Sequence, residues 1–85
     1  MFEIRWSRSA DDELARIWTA SNSSRRAAIT RAVATLEERL AANPITVGES
    51  RERSTRRVVQ QPPVGIDFHV DESNRVVKVF RLWDY

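Results

Sequence analysis

The 85-residue sequence contains no cysteine, which excludes disulfides and thiolate metal sites as staples and fits a reducing cytoplasm. Only two glycines occur, at positions 48 and 65, so there is no Gly-rich phosphate loop. A single histidine, His69, stands among scattered acids with no metal-ligand spacing and no Ser-His-Asp set. Neither a metal nor another cofactor is expected, and nothing points to a small-molecule substrate. No apolar run approaches the roughly 18 residues that a membrane-spanning helix needs. The opening MFEIRW lacks the basic start and apolar stretch of a secretory signal. The expectation is a cytoplasmic protein with no membrane partner.

What is present suits one small globular domain, residues 1–85. Hydrophobic residues make up 41% and charged residues 31%, which argues against disorder. The net charge is only +2, yet the pI is about 9.9. The cations are thirteen arginines and one lysine, and they are unevenly placed. Residues 1–20 and 65–85 each carry a net of −1, whereas residues 21–64 carry +4. Arginine's planar fork suits phosphate or carboxylate. A basic face for nucleic acid or an acidic partner is one reading, and a solvated helix side plus a charged loop is the other.

Phe2, Ile4 and Trp6 alternate with Glu3 and Arg5, which predicts a short first strand. Ser9 with Asp12 fits a capping box, and Asp11, Asp12 and Glu13 suit the positive end of a helix dipole. That helix is expected to bury Ala10, Leu14, Ile17 and Trp18. After TASNSS, a second helix starting near Ser23 or Ser24 carries Ala28, Ile29, Ala32, Val33, Leu36 and Leu40 on one stripe. Asn43-Pro44 ends it, with Asn in a left-handed cap and Pro unable to continue the ladder. Residues 45–55 have no clean period. Arg56–Gln61 predicts a strand stopped by Pro62-Pro63. Ile66, Phe68 and Val70 alternate with Asp67, His69 and Asp71, and Arg75–Trp83 resumes after the turn formers Asp71-Glu72-Ser73-Asn74, which is a hairpin pattern. The order implies an α+β fold: an N-terminal strand, a two-helix hairpin, then a three-stranded antiparallel meander with the helices on one face.

FEIRW, SADDELARIW, AITRAVATLEERLAANP and VGIDFHVDESNRVVKVFRLW, in this order and spacing, resemble the RelE/ParE superfamily of small toxins from bacterial type II toxin–antitoxin systems. The resemblance covers nearly the whole chain. It implies a twisted sheet with the helical hairpin on one side and a concave basic face on the other. It also implies a plasmid-stabilisation-like role, with a small antitoxin as partner. Two activities occur in the superfamily. RelE-like members cut messenger RNA in the ribosomal A site, and ParE-like members poison DNA gyrase.

Metal-free RNA cleavage needs a base, cations for the phosphate and an acid for the leaving oxygen. The resemblance implies, for the ribonuclease type, an arginine two or three residues before the central aromatic of the third strand. That aromatic matches Phe68, preceded here by Val64, Gly65 and Ile66, none of them arginine. A basic, Tyr-bearing tail is also implied, whereas the sequence runs only to Tyr85. The residues left for a ribonuclease are Arg56, Arg57, Arg81, His69 and Tyr85, although His69 is better accounted for as a polar residue on the outer sheet face. For binding a target or nucleic acid they are Arg51, Arg53, Arg56, Arg57, Arg81 and Trp83. The reading favoured is ParE-like target binding; a RelE-type endonuclease or a silent relative with the same fold are the alternatives.

Overall fold

The computed structural model describes residues 1–50 and 56–85, so Arg51 and Arg53 lie outside the described residues. The chain forms β1 (Glu3–Trp6), α1 (Arg8–Ala20), α2 (Ser23–Ala42), a 3-10 turn (Pro44–Thr46), β2 (Glu49–Ser50), β3 (Arg56–Gln61), β4 (Val64–Asp71) and β5 (Val76–Asp84). The sheet order is β1-β5-β4-β3-β2. β1 runs parallel to β5 and every other pair is antiparallel, so the expected meander is present, extended at both edges into a mixed sheet.

α1 begins one residue after Ser7, not at Ser9. The backbone N–H of Ser7 still bonds Val79 O at 2.8 Å, as the strand requires, and its Oγ accepts from the Ala10 N–H at 3.0 Å. The same hydroxyl donates to Phe80 O at 2.9 Å, so one side chain caps α1 and ties it to β5. Asn22 caps α2 by accepting from the Arg25 N–H at 2.9 Å. Arg26 answers the last carbonyls of α1, donating to Trp18 O at 2.8 Å and Thr19 O at 2.9 Å. Its guanidinium lies 4.4 Å over the Trp18 ring. Trp18 therefore sits at the outer seam of the helical hairpin, 41% exposed, rather than in the core. Asn43 leaves α2 with φ −158° and ψ 74°, outside the left-handed region, and Pro44 opens the next turn.

The core lies between the helices and one face of the sheet. α2 contributes Ile29, Leu36 and Leu40; β4 and β5 contribute Ile66, Phe68 and Leu82, all fully buried. β2 was not legible in the aperiodic segment, because two residues are too few for a pattern. The turn after β4 is closed by Asp71, which accepts from the Asn74 N–H at 3.2 Å and from its Nδ2 at 2.9 Å. Arg75 completes that turn at φ 54° and lays its guanidinium 4.7 Å over Phe2. Asp67 pairs with Arg81 but Phe68 pairs with Val79, so Phe80 is an extra residue in β5. This bulge re-aims Phe80 and Arg81 and breaks the alternation of the last strand. Among the described residues, no helix is long and apolar enough to cross a membrane.

Candidate functional site

The sheet face away from the helices carries Arg56 on β3, Asp67 and His69 on β4, and Lys78 and Arg81 on β5, with the apolar Val58 opposite Asp67. Arg56 forks onto Asp67, with Nη2 at 2.7 Å from Oδ2 and Nε at 3.2 Å from Oδ1. Its guanidinium also lies 5.0 Å over Phe80, whose ring is 6.5 Å from that of His69. The Asp67 hydrogen bond, and then its charge, hold the Arg56 pKa above the usual arginine value. His69 thus shares this cluster, half-buried beside Phe80.

Arg81 leaves the face for its edge, where β1 has ended and α1 docks. It grips Glu13 with Nη2 at 2.8 Å and Nε at 3.1 and 3.2 Å from the two oxygens. Glu13 also accepts from the Leu82 N–H at 3.1 Å, supplying a partner to the strand edge that β1 no longer covers. The Arg81 hydrogen bond is the main reason that the Glu13 carboxyl sits below its ordinary pKa; the Leu82 N–H adds to this and burial opposes it. On β1, Arg5 is paired with Glu3 at 2.9 Å, and both are exposed. Among the described residues, Arg5, Arg56 and Arg81 on this face and its edge are each matched by a carboxylate.

Gly65 faces the same side, opposite Trp83, whose indole lies directly on its backbone. A Cβ on residue 65 would stand 2.7 Å from Trp83 Nε1 and Cε2. The position where the ribonuclease pattern implies an arginine is roofed by an aromatic ring. Arg57 points to the opposite side of β3, half-buried, and donates to Val47 O at 2.9 Å and Gly48 O at 3.0 Å. It organises the segment before β2. Tyr85 is 54% exposed, with its N–H bonded to Pro63 O at 3.1 Å. Arg25 reaches the same end of the chain, donating to Asp84 Oδ2 at 3.3 Å and Tyr85 O at 3.1 Å.

The sequence-predicted residues therefore separate. Arg56 and His69 come together, Arg81 and Trp83 are engaged nearby, and Arg57 and Tyr85 are elsewhere. Sequence reasoning missed the roles of Asp67 and Glu13, because Asp67 meets Arg56 across a strand pair and Glu13 meets Arg81 from a helix 68 residues away. It also missed a groove of about 520 Å³ between α1 and α2, lined by Leu14, Ala15, Trp18, Ile29 and Val33 with Asp11 at its rim. Among the described residues no group of three His, Asp or Glu is placed to hold a metal ion.

Solved structures of similar fold include a RelBE2 toxin–antitoxin complex from Mycobacterium tuberculosis, with TM-score 0.76 and 16% identity over 99% of this chain and 98% of that one. A chromosomal ParDE toxin–antitoxin system from P. aeruginosa superposes with TM-score 0.71 and 17% identity over 99% of this chain and 96% of that one. The isolated E. coli RelE toxin does so with TM-score 0.65 and 15% identity over 99% and 84%. At such identities the likeness establishes the α+β RelE/ParE fold alone. No curated protein sequence matches the chain. The family model described as the ParE toxin of the type II toxin–antitoxin system, parDE, matches residues 4–84. With that match spanning almost the full sequence, the chain belongs to the ParE toxin family of type II toxin–antitoxin systems.

Proposed function

We propose that the chain is a toxin that acts by binding a protein target, DNA gyrase in the ParE manner, rather than by cleaving messenger RNA. The observation that carries this reading is the commitment of the arginines: Arg56 is held by Asp67, Arg81 by Glu13 and Arg5 by Glu3. A ribonuclease site needs cations free to take a pentavalent phosphate. The Trp83 roof over Gly65 supports the same reading.

A small antitoxin is the proposed partner, as in the toxin–antitoxin complexes of similar fold. The groove between α1 and α2 is apolar and open, and an amphipathic helix laid into it would cover Trp18, Leu14 and Val33. The cytoplasm, where gyrase and ribosomes work, is the proposed location. The test sets purified chain against gyrase supercoiling and against translating ribosomes in parallel. Inhibited supercoiling with intact messages is expected. A-site cuts that disappear in Arg81→Ala would replace this reading with the endonuclease. Inertness in both assays, and no growth arrest on expression, would leave a silent relative.

A further inference from the structure

One row of the open sheet face is basic across four strands. Arg56 stands opposite His69, His69 opposite Lys78, and Lys78 opposite Arg5. These residues come from three distant parts of the sequence, and only the register aligns them. With neighbouring strands about 4.8 Å apart, the row spans roughly 14 Å. Like charges directly opposite one another on a sheet are unfavourable, so such a row is tolerated where carboxylates offset it. Asp67 grips Arg56, and Glu3 takes Arg5 at 2.9 and 3.3 Å. Asp71 shares with Lys78, Arg5 and Glu3 one shallow hollow beside the row. Arg5 and Arg56 are thus each held by a carboxylate, while Lys78 has Asp71 as its acidic neighbour across the hollow.

We propose that this row is a latent site for single-stranded nucleic acid, and that Asp67 is the residue that keeps it closed. Asp67 does so in two ways. It occupies the fork of Arg56, the part that would take a phosphate, and it sets a negative charge in the path of the phosphate chain. Phe80 lies beneath the Arg56 guanidinium at 5.0 Å, so the guanidinium keeps its place over the ring when Asp67 no longer holds it. The same ring offers an aromatic contact to a base. The inference rests on the reading of this protein as a target binder and names what enforces it: a charge-matched face that discriminates against RNA.

The test is fluorescence anisotropy with a labelled oligouridylate of about a dozen nucleotides at about 50 mM salt. Asp67→Asn is expected to bind it about tenfold or more tightly than wild type, with a salt dependence steeper by roughly one released counterion. Glu38→Gln makes the same net-charge change on an exposed turn of α2 and is expected to give no gain. Adding Lys78→Gln to Asp67→Asn is expected to abolish the gain. Asp67→Ser replaces the Asn variant if circular dichroism shows that variant unfolded. The inference is overturned if Asp67→Asn binds no better than Glu38→Gln, if the gain survives Lys78→Gln, or if wild type already binds as tightly. Loss of the gain while wild type still inhibits gyrase removes this inference alone; message cleavage by wild type removes the proposed function.

Discussion

Alanine at position 65 should destabilise this protein, and the effect should reverse sign when Trp83 is removed. Gly65 pairs with Trp83 in β4 and β5, and its missing side chain is what lets the indole lie on the strand. A Cβ there would meet Trp83 Nε1 and Cε2 at 2.7 Å and Cζ2 at 2.8 Å. Ordinary contacts between carbon atoms are about 3.5–4.0 Å. Through the unfolded state alone, Gly→Ala would stabilise by about 0.5–1 kcal/mol. Forcing the indole off the strand costs about 1–3 kcal/mol. The net expectation for Gly65→Ala is a loss of about 1 kcal/mol, or roughly 4–8 °C in Tm for a domain of this size. In a Trp83→Ala background the clash is gone, and Gly65→Ala should stabilise by about 0.5–1 kcal/mol. Urea unfolding of the four proteins by far-UV circular dichroism gives the coupling. Equal effects of Gly65→Ala in both backgrounds would show that the indole does not rest on Gly65, and the account of this position would fail.

Three further outcomes are expected. Glu13→Gln should lower stability at neutral pH by about 1 kcal/mol, mostly by removing the charge that the Arg81 fork grips, since the amide oxygen can still accept from the Leu82 N–H. The folded-state pKa of Glu13 lies below the ordinary glutamate value, so its contribution is present above that ordinary value and fades as pH falls through the folded one. Acid unfolding curves should thus differ between wild type and Glu13→Gln near neutrality and converge at low pH; a constant offset would contradict the pairing. Gly48→Ala should cost about 2 kcal/mol or more in chemical denaturation, because Gly48 has φ +72° and a Cβ would collide with Val58 O. Leu36→Ala should cost about 2–5 kcal/mol by the same measurement, since Leu36 is fully buried where α2 crosses the sheet.

Much of the architecture was legible because local chemistry and periodicity agreed. Ile66, Phe68 and Val70 alternate on a strand that really does have one dry face, and Ile29, Ala32, Leu36 and Leu40 repeat on a helix with one dry stripe. Failures came where a residue serves two neighbours. Ser7 rather than Ser9 caps α1 because its hydroxyl also serves a strand edge far along the chain, which no local pattern records. Trp18 has helical phase with Leu14 but lies at a seam, where its ring takes Arg26 rather than the core. The alternation of β5 is broken at Phe80 by a bulge that no local signal announces.

The candidate site shows the same division. Residue types and order alone determined an α+β chain of the toxin fold, the absence of a thiolate staple, and the glycine at 65 where the ribonuclease pattern implies an arginine. Those depend on composition and on contacts close in sequence. Only tertiary structure decided what the arginines do. Glu13 reaches Arg81 across 68 residues, and the row from Arg56 through His69 and Lys78 to Arg5 exists only through strand register. Charge acts through distance in space, and a sequence records only distance along the chain. A basic middle segment could therefore be counted from the sequence, while the pairing of Arg56 with Asp67 and of Arg81 with Glu13 had to be seen in the fold.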